Sequence, residues 1–416
     1  MTAAKRNAAS RSAKTPSAKE SPAVRRVLVV SHSHPELTKG GAEIAAYNQY
    51  LAHAAAAPET TWFLGCAREA TGQHLGAVFS QPFGPNEYVY AAGAFDWFNF
   101  SNMDPAFPAA FRALLAELQP EEVHFHHYIN VGVEALLHVK ETLPNCRLTM
   151  TLHEYLAICH HYGQMVTKPA LHLCHSSAPA KCAKCFPERP PEDFFLRKRY
   201  IERFFDLVDQ FISPSRFLAQ RYEAWGIAPE RMLVRENIVN FPASLDASAG
   251  VKSSGLQQQG ARNSGATLRV GYFGQISKLK GIGVLLDAAK ILEKQDDFSI
   301  VFEIHGDDQG QPPEFQAEFR GRLAAVGANV LYLGPYERER VASLMQRVDV
   351  VLVPSIWWEN SPLVIQEALQ SGRAVVCSDI GGMKEKAVLE NVHAFPVGSP
   401  IGLIEVLRHC GAAVRL

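Results

Sequence analysis

The chain has 416 residues, of which 47% are hydrophobic and 20% charged, and a formal net charge of −1. That length accommodates two α/β domains without disulfides or metals to hold a core. The near-neutral balance excludes a global electrostatic case for nucleic-acid binding, and no apolar run is long enough to span a bilayer.

Residues 1–26 carry seven basic side chains against one acidic, a net +6 among Ala, Ser and Thr. Such a segment cannot bury enough apolar area to order itself, and it lacks the apolar stretch of a secretory signal. A solvated, disordered basic tail is expected, with a weak electrostatic tether to anionic lipid as the alternative. Without an export signal, the eight cysteines point to a reducing, cytosolic compartment.

From Val27 a short apolar run breaks into His, Ser, Pro and Gly, and an Ala-rich helical stretch begins at Ala42. This strand–loop–helix opening starts a doubly wound sheet. Further strands are expected at 122–126, 147–152 and 210–213, completing an amino-terminal Rossmann-like domain over 27–241. The polar, repetitive stretch 242–267 reads as a surface linker. At Leu268 the alternation restarts, with strands at 268–274, 298–306, 329–334, 349–355 and 373–379 and helical patterns between most of them. A second Rossmann-like domain over 268–416 follows, its ligands at the carboxyl ends of a mostly parallel sheet. Two such domains imply a cleft between them.

Two glycine patterns carry no nucleotide fingerprint. Gly281 and Gly283 lack the third glycine of a dinucleotide site, and the stretch from Gly274 to Lys280 lacks the Gly-Lys-Ser/Thr ending of a Walker loop.

Four loops carry chemistry. In the stretch from Trp357 to Glu367, Ser361 suits an N-cap, Pro362 the first helical position, and Gly372 the residue just past the end. The unpaired amides of that helix start make a phosphate site, and Glu359 and Glu367 can accept from hydroxyls. A second loop runs from Phe273 through Gln275 to Lys280, a point charge for an anion or an exposed lysine at a helix start. The third, Lys39-Gly40-Gly41, lets backbone amides approach an anion, or makes a tight turn. The fourth ends a strand at His153, which either faces the cleft or is structural. His124 and His126, two apart on an earlier strand, share a face and read as supporting residues.

Taken together, these loops resemble the large retaining glycosyltransferase family 4, of GT-B fold, over about 27–400. The family's E-x7-E motif matches Glu359 and Glu367, its Gly-Gly loop Gly40 and Gly41, and its strand-end His the His153 position, here followed by Glu154 for the usual Asp. Its Arg…Lys donor pair falls on Gln275 and Lys280, so one fixed cation is missing. The resemblance implies transfer from a nucleotide-diphosphate sugar with retention, without a metal or other cofactor in catalysis. Lys280 and the helix start at Ser361, Pro362, Leu363 and Val364 would carry the phosphate charge. Glu367 would bond the ribose, Glu359 the transferred sugar, and His153 the sugar or acceptor. Family members usually end in a helix that crosses back to the first domain; the stretch after Ile401 leaves little room for it.

Cys159, Cys174, Cys182 and Cys185 lie in a Cys/His-rich insert over 159–185. The Cys182–Cys185 pair has zinc-ligand spacing, so the four are either a structural zinc site or reduced thiols, with His160, His161, His172 and His175 as substitute ligands. The stretch 194–212 places aromatic residues at helical spacing around Arg and Lys. It reads as a core helix, or as an interfacial helix resting on the inner membrane. The expected function is a cytoplasmic glycosyltransferase of cell-surface polysaccharide synthesis, peripheral on the membrane in the interfacial version, acting on a glycan or lipid-linked acceptor. A non-catalytic sugar-nucleotide-binding protein or assembly partner is the alternative, and a sugar-nucleotide epimerase is disfavoured by the E-x7-E arrangement.

Overall fold

The computed structural model describes residues 25–38, 40–68, 76–238, 267–297 and 299–414. The expected basic tail, apart from Arg25 and Arg26, lies outside the described residues, as do Lys39 and nearly all of the expected linker.

Two parallel sheets organise the chain. The first begins with β1 (Val27–Val30), β2 (Thr61–Ala67), β3 (Phe79–Gly84) and β4 (Glu87–Ala91). After a two-stranded ribbon, β5 (Phe95–Asp96) and β6 (Ser101–Asn102), it is completed by β7 (Glu122–Phe125), β8 (Arg147–Thr151), β9 (Gln210–Ser213) and β10 (Met232–Val234). The strand order is β10-β9-β8-β7-β1-β2-β4-β3, and only β3 runs antiparallel to its neighbour. All four residues of β1 are buried, as parallel strands covered on both faces require.

The second sheet comprises β11 (Leu268–Phe273), β12 (Ile300–His305), β13 (Val330–Gly334), β14 (Val350–Val353), β15 (Ala374–Ser378) and β16 (Val392–Phe395). Its order, β13-β12-β11-β14-β15-β16, is that of a Rossmann sheet. Strand order reverses between β11 and β14 here, and between β1 and β7 in the first sheet. Ligand crevices belong at the carboxyl ends of those pairs.

Side chains join the two halves. Trp358 packs its ring 5.1 Å from Phe217 and 5.0 Å from His175. Tyr155 donates its hydroxyl to the Trp358 carbonyl at 3.3 Å, and Glu385 accepts from the Arg216 amide at 2.9 Å. The last described helix, Pro400–Val414, packs Leu403, Ile404, Leu407 and Cys410 into the core of the second sheet.

The aromatic, basic stretch after Phe194 forms the helix Pro191–Phe205 and then β9. Phe194, Ile201, Phe204 and Phe205 are buried. Arg197 is buried too, donating to the carbonyls of Phe98, Ala157 and Leu156 at 2.6–2.8 Å. One of its basic residues is therefore a buried clamp on the ribbon and the loop after β8, while Phe195, Leu196, Arg199 and Arg203 stay exposed.

Candidate functional site

Both crevices open into one cavity of about 530 Å³, lined from the first sheet by the loops after β1, β7 and β8 and from the second by those after β11 and β14. His153, Gln275, Lys280, Glu359 and Glu367 all line it, together with Gly41. The helix start supplies Ser361, Pro362, Leu363 and Val364 to the same wall. Gly40 is not among the lining residues; it precedes the helix Gly41–Ala54 as its N-cap, with extended backbone. A Cβ built on Gly41 would stand 3.9 Å from Leu363 Cδ1, so the Gly-Gly loop and the carboxy-terminal helix start face each other closely.

The helix after β14 corrects one expectation. It runs Leu363–Gln370 with Pro362 as N-cap and no side-chain capping bond. Ser361 instead donates to Glu236 Oε1 at 3.3 Å across the domains. Pro362 holds an extended ψ of 122°, which starts the helix one residue later. Gly372 follows the helix end with a left-handed φ of 69°, as its place in the sequence suggests.

Lys280 is not a free cation. Its Nζ lies 2.6 Å from Glu359 Oε1, which also accepts from Ser355 Oγ at 2.7 Å and Trp357 Nε1 at 3.0 Å. Burial pushes the Glu359 carboxyl upward, but the Lys280 charge and these bonds outweigh it and hold Glu359 below its ordinary value. The backbone here is fitted for the approach. Gly281, at φ 75°, lets the chain pass against the Pro354 carbonyl where any Cβ would collide.

Glu367, on the second turn of its helix, has Arg338 Nη1 3.6 Å away as its counter-charge. Burial raises its pKa despite that arginine. The Gln275 side chain is exposed, and its carbonyl accepts from Tyr272 Oη at 2.7 Å.

The opposite wall is rich in histidine. His32 Nε2 lies 3.1 Å from Glu43 Oε1. His127 Nδ1 accepts the amides of Tyr128 and Ile129 at 3.0 Å, so its proton sits on Nε2 and is donated to Glu154 Oε1 at 3.2 Å. Burial raises Glu154 to about 7. His153 is held beside His126, Nε2 to Nδ1, at 2.9 Å, and burial pushes it down to about 3. It is a neutral imidazole throughout the physiological range.

Sequence reasoning missed Glu43, His32 and His127 as cleft residues. A strand-end signal existed for His32 and His127, which lie two residues past the ends of β1 and β7. For Glu43 there was none beyond its place in the first turn of a helix. His124 and His126 do share buried surroundings, their rings 4.7 Å apart.

Cys159, Cys174, Cys182 and Cys185 line a separate cavity of about 220 Å³. Among the described residues, no three or more His, Cys, Asp or Glu side chains are gathered so as to hold a metal ion. The sulfurs have other partners instead. Cys174 donates to the Ser176 carbonyl at 3.4 Å, and Cys185 accepts the Lys168 amide at 3.5 Å. Burial raises the Cys159 thiol to about 11 and also raises Cys182, which keeps both protonated.

Two Rossmann-like domains whose switch points open into one shared cleft define the GT-B class of glycosyltransferase folds. The chain belongs to glycosyltransferase family 4: the family described as "Glycosyltransferase Family 4" matches residues 39–241, and "Glycosyl transferases group 1" matches 267–410. A phosphatidyl-myo-inositol mannosyltransferase of Mycobacterium tuberculosis is 31% identical over 123 residues, 29% of this chain and 30% of that protein. A lipopolysaccharide 1,2-N-acetylglucosaminetransferase of Salmonella typhimurium is 26% identical over 209 residues, 49% of this chain and 53% of that protein. These curated relatives are thus matched over about a third to a half of their own length. Among solved structures, Anabaena Alr3699/HepE in complex with UDP-glucose superposes with a TM-score of 0.59 at 17% identity, covering 94% of this chain and 91% of that one. Sucrose-phosphate synthase from Thermosynechococcus elongatus gives 0.64 at 17% identity, covering 93% and 89%.

Proposed function

We propose that the chain transfers a sugar from a nucleotide-diphosphate sugar to a glycan or lipid-linked acceptor, with retention and without a catalytic metal. The observation that carries this reading is the meeting of Lys280, Glu359, Glu367 and the Leu363 helix start on one wall of the cleft, opposite His153 on the other. The amides of Leu363 and Val364 and the Lys280 ammonium face the developing phosphate charge. Glu367 accepts from the ribose hydroxyls. Glu359, ionised and held by Lys280, accepts from the transferred sugar. The acceptor enters from the His153 wall and attacks on the face the nucleotide leaves. The mannosyl- and N-acetylglucosaminyltransferase relatives support a lipid-linked or glycan acceptor of the cell surface. The exposed Phe195, Leu196 and Arg199 are consistent with a peripheral contact on the cytoplasmic face of the membrane.

Incubating the protein with UDP- and GDP-sugars and candidate acceptors, and measuring nucleotide release, tests the reading. Release that depends on acceptor is expected. The exposed Gln275 in the place of a cation favours a second reading, a sugar-nucleotide-binding protein, which would bind donor and release nothing.

A further inference from the structure

We propose that Gln49 and His126 act as positioning residues that fix the tautomer of His153, so that His153 presents an unprotonated Nδ1 to the cleft and recognises a hydroxyl that donates to it.

The relay lies within the first sheet and the helix Gly41–Ala54. Gln49, His124 and His126 are 8%, 1% and 3% exposed, so no bulk water competes for their bonds. Burial keeps His124, His126 and His153 neutral, and each ring therefore carries one proton. An amide can donate only through nitrogen and accept only through oxygen, which makes Gln49 the element that sets direction. Its Nε2 faces His124 Nδ1, so that nitrogen is a lone pair. The His124 proton then lies on Nε2, donated to Thr151 Oγ1 at 2.7 Å. Gln49 Oε1 faces His126 Nε2 at 3.1 Å, so that nitrogen carries the proton and His126 Nδ1 is bare. His153 Nε2, 2.9 Å from that bare nitrogen with the rings inclined by 23°, must donate.

The remaining His153 nitrogen, Nδ1, has no protein partner among the described residues, while the side chain lines the cleft. A bare imidazole nitrogen accepts only. It matches a sugar hydroxyl and mismatches a phosphate oxygen, which has no proton to give. Between a hydroxyl and a phosphate oxygen at a sugar-nucleotide site, the relay selects the hydroxyl. This last step rests on the proposed donor; the tautomer does not.

The test is nitrogen-detected NMR of the full chain labelled at histidine, with His153 assigned through His153→Asn. The expected wild-type spectrum shows the His153 proton on Nε2 alone. Gln49→Met is expected to leave the fold intact and mix the two His153 tautomers, and His126→Phe to do the same. A His153 proton on Nδ1 in the wild type overturns the proposal. So does an unchanged tautomer in both variants. A second arm uses donors in which single sugar hydroxyls are replaced by fluorine. One such donor is expected to bind roughly fivefold less tightly to the wild type, and to show no such loss with His153→Asn. If the tautomer is as stated but every fluorinated donor binds alike, hydroxyl recognition by His153 fails. If no sugar nucleotide binds at all, the proposed function fails while the relay stands.

Discussion

Lys280 Nζ and Glu359 Oε1 form a 2.6 Å ion pair on the floor of the cleft, between a strand-end loop of one Rossmann turn and the loop before the next helix. The Glu359 side chain is 7% exposed and the Lys280 side chain 37%, so the carboxylate is the member that depends on its partner. Lys280 keeps Glu359 ionised, and the bond holds both side chains in place. Replacing Lys280 with Ala removes the cation proposed to oppose the leaving phosphate and also leaves a buried carboxylate without its charge partner. Turnover in a nucleotide-release assay is expected to fall by about a hundredfold or more. Glu359→Gln, which frees Lys280 but keeps its neighbours' volume, should retain donor binding with a smaller loss of turnover. Equal losses in the two variants would show that the pair does not divide the labour in this way.

Glu367 should matter for affinity. Among the described residues its nearby cation is Arg338, at 3.6 Å, which leaves the carboxylate open to the ribose hydroxyls proposed for it. Glu367→Ala is expected to weaken donor binding by about tenfold or more in calorimetry, as loss of a charged hydrogen bond does. Unchanged affinity would place the ribose elsewhere.

Glu154 carries a pH signature. Its folded pKa, raised to about 7 by burial, lies above the value it has when unfolded. The folded protein therefore binds more protons at this site than the unfolded chain, and the site's contribution falls as pH rises from about 4.5 to about 7. Glu154→Gln removes this dependence. The melting temperature of the variant minus that of the wild type should grow across that window and level off above it. A difference that stays flat from pH 5 to pH 8 would contradict the burial argument.

Gly281 precedes the helix Ile282–Lys294 in a left-handed conformation, pressed against the Pro354 carbonyl. Gly281→Ala should cost about 1–3 kcal/mol, seen as a lowered thermal midpoint, and should displace Lys280 beside it. A variant as stable as the wild type would show that the loop can shift without cost.

Most of the architecture was legible because parallel strands write themselves as apolar runs: β9 falls where its sequence put it, and β1, β7 and β8 end within a residue of expectation. The carboxy-terminal wall of the site was legible for the same reason, since its residues sit at strand ends in a fixed order. What stayed hidden depended on side-chain direction. That Lys280 turns to Glu359, 79 positions away, is decided by the fold of two loops, which spacing cannot encode. Pro362 was misplaced by one residue because its missing amide suits the N-cap as well as the first turn. The CxxC spacing of Cys182 and Cys185 says nothing about where Cys159 and Cys174 bring their sulfurs.

The short segment from Glu359 to Ser361 is bound to both halves of the molecule. Asn360 accepts from Ser215 Oγ at 2.6 Å and donates to the His153 carbonyl at 3.3 Å, while Ser361 reaches Glu236. Any hinge that parts the two sheets must pull on these bonds, and so on the backbone that carries the carboxylate beside Lys280. Opening the cleft and loosening one of its walls are then a single event.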